Sequence, residues 1–160
     1  MKKVVALLME NQPGALSRGV GLFSQRGYNI ESLIVAPTED SSLSRLTMTT
    51  NEDTRVVDQI IKQLNKLIDV VKVFDLGESK YVERELMLIK FNRSLISNDE
   101  LSELSGEIVF ENSEILTAQF VGDSNYLDKI LNKLDSKNAL EIVRTGTSGI
   151  SSTEKTLTIK

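Results

Sequence analysis

The sequence contains no cysteine and no histidine. Without cysteine there is no disulfide, no thiolate nucleophile and no thiolate metal site. Without histidine the commonest general base near neutral pH and the commonest zinc ligand are both missing. Asp, Glu, Lys and Tyr keep catalysis open, but the enzyme class loses ground. Aromatic residues make up only 5% of the chain, so its core must be built from Val, Ile and Leu. Positive charge is also scarce. The formal charge is −4, whereas a sequence-independent grip on nucleic acid needs a basic surface. The sequence shows no helix-turn-helix segment and no basic patch. No apolar run approaches membrane length. The run Val4 to Met9 follows Met1-Lys2-Lys3 but is closed by Glu10 with no small-residue cleavage site after it. It reads as a buried strand rather than a signal peptide, and the chain is expected to be soluble and cytoplasmic.

At 160 residues, 40% of them apolar and 26% charged, the chain can fill one ordinary domain or two small ones. Its patterning favours two. Val4 to Met9 ends in the turn signal Asn11-Gln12-Pro13-Gly14. Leu16, Val20 and Phe23 then form a helical stripe, which Gly27 stops. Residues 29–36 read as a strand, and Leu43 to Thr50 alternates, with Leu46 and Met48 on one face and Arg45 and Thr47 on the other. Val57, Ile60, Ile61, Leu64 and Leu67 give a second helix its apolar face, and Val70 to Leu76 is a fourth strand. The order is β-α-β-β-α-β. It recurs as strand 83–92, helix 97–104, strands 107–111 and 115–121, helix 123–134 and strand 140–144. The fold class is therefore α+β, with two tandem ferredoxin-like units, residues 1–77 and 78–160. The Ser/Thr/Gly-rich tail from Thr145 reads as frayed.

The first strand-to-helix turn carries the most chemistry. Pro13 fixes the approach of the chain, and Gly14 removes side-chain bulk where the helix begins. The first helical amides, around Gly14 to Leu16, lack intrahelical partners and sit at the positive end of the dipole, which suits a carboxylate. Asn11 beside them offers a donor and an acceptor. The same residues also read as an ordinary Pro-Gly turn, and geometry alone leaves both readings open. Asp123-Ser124-Asn125 reads as a helix cap rather than a metal-binding turn, and Glu52-Asp53 as the start of the second helix. No metal site is expected. Base-stacking aromatics are missing from the third strand, against RNA binding, and no nucleophile–base pair is visible.

The segments Asn11-Gln12-Pro13-Gly14-Ala15-Leu16-Ser17-Arg18, Phe23-Ser24-Gln25-Arg26-Gly27-Tyr28-Asn29-Ile30-Glu31-Ser32 and Leu43-Ser44-Arg45 closely resemble the small regulatory subunits of acetohydroxyacid synthase, also called acetolactate synthase. Lys62-Gln63-Leu64, with Lys66-Leu67-Ile68-Asp69-Val70, and Glu83-Arg84-Glu85-Leu86 extend the resemblance over residues 2–91. The second unit reads as divergent, because the stretch 92–107 is shorter than the family pattern. The resemblance implies that the first unit is an ACT domain, which dimerises by pairing sheet edges and binds a branched-chain amino acid, typically valine, at that interface. It implies Asn11, Gly14 and Asn29 as contacts, with Ala15, Leu16 and Ile30 nearby. It also implies a large catalytic subunit as partner, carrying thiamine diphosphate, a divalent metal and flavin, while this chain carries no cofactor and no catalytic residue. The alternative is a stand-alone ACT-domain sensor acting on a different partner.

Overall fold

A computed structural model describes residues 2–78, 80–134 and 139–159. The chain divides into two compact units, Met1–Val82 with Thr147–Lys160, and Glu83–Gly146.

In the first unit β1 (Lys3–Glu10) is followed by α1 (Ala15–Ser24), β2 (Ser32–Pro37), β3 (Leu43–Thr50), α2 (Thr54–Leu64) and β4 (Val70–Asp75). The sheet order is β2-β3-β1-β4, with every neighbouring pair antiparallel. A continuous apolar run must be covered on both faces, and β1 sits centrally for that reason. Val5, Leu7 and Met9 face Leu46, Met48, Phe23, Val57, Ile60 and Leu64 under the two helices. Val4, Ala6 and Leu8 face the other way, against Leu43, Leu76 and Leu157. Asp53 caps α2 by accepting the Val56 amide at 2.9 Å, the role its sequence position suggested.

The second unit repeats the order with β5 (Tyr81–Asn92), α3 (Asn98–Glu103), β6 (Glu107–Glu111), β7 (Ile115–Gly122), α4 (Ser124–Lys133) and β8 (Ala139–Arg144). Its sheet runs β6-β7-β5-β8. Met87, Ile89, Phe91, Leu116, Ala118 and Phe120 pack under Leu101, Leu127 and Ile130. Ser97 and Glu100 form a reciprocal capping box on α3, and Asp123 caps α4. The structure is thus the expected pair of β-α-β-β-α-β units.

Two local expectations fail. The stripe on α1 is Ala15, Gly19 and Phe23, not Leu16, Val20 and Phe23, and Leu16 is exposed. The helix starts one residue after Gly14, and positions four apart from Ala15 turn toward the sheet, so the long Leu16 side chain is left outside. The tail does not fray over its described length. β9 (Ser148–Ser151) lies in the first unit, where the Arg45 guanidinium donates to the Gly149 carbonyl at 2.7 Å. Lys2 donates to the Thr147 hydroxyl at 3.0 Å, Lys72 to the Thr156 carbonyl at 2.8 Å, and Leu157 is buried. The uncovered apolar face of β1 draws in the tail, whose polar composition hid that role; residues 147–159 therefore belong with the first unit rather than the second.

A Cβ added at Gly19 or Gly21 meets nothing within 4 Å. The space is available, and glycine in a helix interior costs about 0.5–1 kcal/mol relative to alanine. Gly19→Ala and Gly21→Ala will each raise the melting temperature by about 2–4 °C, measured by circular dichroism on the full chain; a fall in either would mean that α1 is packed more tightly than its surroundings indicate.

Candidate functional site

The turn after β1 is held from both sides. The Asn11 backbone amide donates to the Ser42 carbonyl at 2.7 Å, and its side-chain amide donates to the Ser41 carbonyl at 3.0 Å. This leaves the Asn11 side-chain carbonyl without a partner among the described residues. Gly14 caps α1 with φ 86°, a left-handed conformation that side chains rarely adopt, and no side chain caps the helix. The Ala15 amide donates to the Gln12 carbonyl at 3.2 Å, whereas the amides of Leu16 and Ser17 have no protein acceptor among the described residues. No acidic residue stands in the first turn. Two unengaged amides at the positive end of a helix form an anion-receptive point.

An open depression of about 210 Å³ lies beside this turn, bounded by Glu10, Asn11, Gln12, Ala15 and Leu16 and by Val35, Ala36 and Pro37 at the end of β2. It is smaller than the roughly 300–1,000 Å³ typical of drug-sized ligands and is on the scale of a single amino acid.

Sequence reasoning missed Arg18 and Asp69. The Arg18 guanidinium donates two hydrogen bonds to Asp69, at 2.5 and 2.8 Å, and the Asp69 backbone carbonyl accepts from Glu10 at 2.8 Å. A Cβ at Gly14 would lie 2.8 Å from the Arg18 guanidinium, so this cation sits directly under the turn. The two residues are 51 positions apart, and only the return of β4 alongside β1 joins them. The hydrogen bonds and charge of Arg18 outweigh partial burial and hold the Asp69 carboxyl below its usual range. In the second unit burial pushes the Glu85 carboxyl up, but Arg144, Ser124 and the Gly146 amide outweigh it, and its pKa is also lowered. A carboxyl whose pKa is lower folded than unfolded stabilises the fold above the unfolded value, and that stability is lost as pH falls through the folded value. Urea unfolding at several pH values should therefore show stability declining below about pH 4, and Asp69→Asn should flatten the decline; an unchanged slope would mean that the pair does not contribute.

The six residues that the family resemblance singled out do not all meet. Asn11, Gly14, Ala15 and Leu16 cluster at the turn, although the Ala15 side chain is buried in the core and only Leu16 is exposed. Asn29 and Ile30 lie at the opposite end of the sheet. The Asn29 carbonyl accepts from Thr50 at 2.7 Å, its side chain donates to Glu31 at 2.8 Å, and Ile30 packs against the first core. Glu10 stands opposite Leu43 and Lys3 opposite Thr50. From Leu43 to Thr50 the chain takes seven steps of about 3.3 Å, roughly 23 Å in all. One amino acid cannot touch both groups within one chain.

No group of three or more acidic residues is placed to hold a metal ion among the described residues, and none of their helices is long and apolar enough to cross a membrane.

Comparison with known proteins locates the chain. Residues 5–72 match the AHAS small subunit-like ACT domain, and residues 84–153 match the family described as small subunit of acetolactate synthase. The second match runs through the part that reads as divergent in the sequence. The chain is 45% identical to the acetolactate synthase isozyme 3 small subunit of Escherichia coli (strain K12), over 97% of this chain and 98% of that protein. It is 37% identical to the acetolactate synthase small subunit of Bacillus subtilis (strain 168), over 92% and 89%. The crystal structure of the acetolactate synthase small subunit from Thermotoga maritima superposes with a TM-score of 0.86 at 31% identity, covering 97% of this chain and 99% of that one. From its first strand to its tail, this chain belongs to the acetolactate synthase small-subunit family.

Proposed function

We propose that the chain is a non-catalytic regulatory subunit that activates a large acetolactate synthase subunit and makes it sensitive to feedback by a branched-chain amino acid, valine foremost. The observation that carries this reading is the separation of the two half-sites along β2. That strand is a sheet edge, and an edge of unpaired amides and carbonyls is a template for another strand. A two-fold axis through the middle of β2 would run it antiparallel to its copy. Asn29 and Ile30 of the partner subunit would then stand at the end where Asn11, Gly14 and Leu16 stand in the first chain. One complete pocket would need two chains.

In that pocket the effector carboxylate meets the amides of Leu16 and Ser17, and Asn11 and the partner's Asn29 hold the ammonium and orient the ligand. Leu16, exposed at the turn, lies against the aliphatic side chain. An effector bridging two chains binds one dimer geometry better than others, and that difference in affinity is what shifts activity. The catalytic cofactors belong to the large subunit.

The test is reconstitution. Adding the chain to the large subunit should raise the acetolactate-forming rate, and valine, leucine and isoleucine titrated separately should inhibit, valine at the lowest concentration. One methylene changes affinity by about 10–200-fold in a fitted pocket, so the ranking is measurable. A chain that binds valine but leaves the rate unchanged would be a sensor for a different partner.

A further inference from the structure

On the helix side of the first unit an open groove of about 430 Å³ runs past Arg26, Lys62 and Lys66, with Gln59, Gln63 and Asn65 between them. The three cations are far apart in sequence, and only the fold gathers them into a patch. None forms an ion pair among the described residues, while Arg18, Lys90, Arg93 and Arg144 all do. Unpaired positive charge stands out on a chain of net charge −4. The C-terminal end of α2 favours cations, which accounts for Lys62 but not for Arg26, which follows a different helix. Two residues beyond Lys66, Ile68 is 92% exposed. A large aliphatic side chain held almost wholly in water contributes nothing to this fold. Its neighbour Asp69 grips Arg18 under the Gly14 turn.

We infer that Arg26, Lys62, Lys66 and Ile68 form the docking surface for the large catalytic subunit, which would present an acidic surface and an apolar recess. This rests on the regulatory reading above. The cations steer the encounter and set its salt dependence, and Ile68 is the anchor. A patch with an apolar anchor fits a protein surface better than a small anion, and its place beside Asp69 sets it next to the effector turn. Occupancy of that turn and grip on the partner would then share the segment from Lys66 to Asp69.

The experiment uses the full chain as wild type, as the triple variant R26E/K62E/K66E and as Ile68→Ser. Affinity for the catalytic subunit is measured by calorimetry at several salt concentrations, and valine binding to the chain alone is measured in parallel. The triple variant should bind the catalytic subunit at least about tenfold more weakly, with a flattened salt dependence. Ile68→Ser should weaken binding by a similar factor while keeping the salt dependence. Both should melt and bind valine like the wild type. Wild-type affinity in both variants would overturn the inference, as would a triple variant that loses only heparin binding. If the wild-type chain itself neither binds nor activates the catalytic subunit, the regulatory reading falls first and this surface with it.

Discussion

Gly14→Asp will raise the valine concentration needed for half-inhibition by about a hundredfold and leave activation of the catalytic subunit in place. Gly14 has φ 86°, where a side chain costs about 1–2 kcal/mol, and Asp and Asn tolerate that region better than other residues. The added Cβ meets only the far end of the flexible Arg18 side chain, which can move. The fold therefore survives. The new carboxylate sits beside the amides of Leu16 and Ser17, where the effector's own carboxylate is proposed to bind. Two like charges about 4 Å apart repel by roughly 1–4 kcal/mol between water and a protein surface, and the middle of that range corresponds to the hundredfold. The introduced carboxylate would also compete with Asp69 for the Arg18 guanidinium. Gly14→Asn separates charge from bulk: nearly isosteric and uncharged, it should cost about tenfold or less. Inhibition titrations of the two reconstituted variants decide it. Equal inhibition of Gly14→Asp and wild type would remove this turn from the effector site.

The order of elements was legible because each rests on a local period. Alternating Leu46 and Met48, the spacing of Val57, Ile60 and Leu64, and the cap at Asp53 need no distant partner to be read. The continuous run Val4 to Met9 announced a strand covered on both faces, but not what covers the second face. The answer lies at the far end of the chain, in a segment dominated by Ser and Thr, where Leu157 is a single apolar residue without a period around it. Leu16 was misjudged because a three-point stripe does not fix the helix rotation to within one residue. At the candidate site, the turn chemistry of Asn11 and Gly14 is local and was visible. The bond from Arg18 to Asp69 depends on β4 lying beside β1, and no local pattern encodes it. The grouping of Asn29 with Asn11 came from family resemblance alone; register shows that one chain holds them a full strand apart.

Removing residues 147–160 should destabilise the first unit more than any single substitution outside its core. Val4, Ala6 and Leu8 are at most 2% exposed, and they line the face of β1 that the helices do not reach. The segment that covers them approaches closely. A Cβ at Gly149 would come within 2.8 Å of Leu76 and 3.5 Å of Val4, so the backbone there lies directly on apolar side chains. Arg45 and Lys72 hold it through backbone carbonyls at Gly149 and Thr156. Burying one large aliphatic side chain is worth about 1.5–3 kcal/mol, and uncovering this face exposes several, so the truncated chain should aggregate or melt well below the intact one. Point variants give the sharper measurement. Leu157 is 5% exposed, and its replacement by alanine should cost about 2 kcal/mol, the low end for a buried leucine because a surface segment can partly collapse onto the gap. Ile159, two residues on, is 63% exposed, and Ile159→Ala should stay within about 0.5 kcal/mol. Urea unfolding of the two variants side by side tests whether the tail is part of the core. If Leu157→Ala and Ile159→Ala cost the same, the tail does not cover β1, and the first unit must be stable without it.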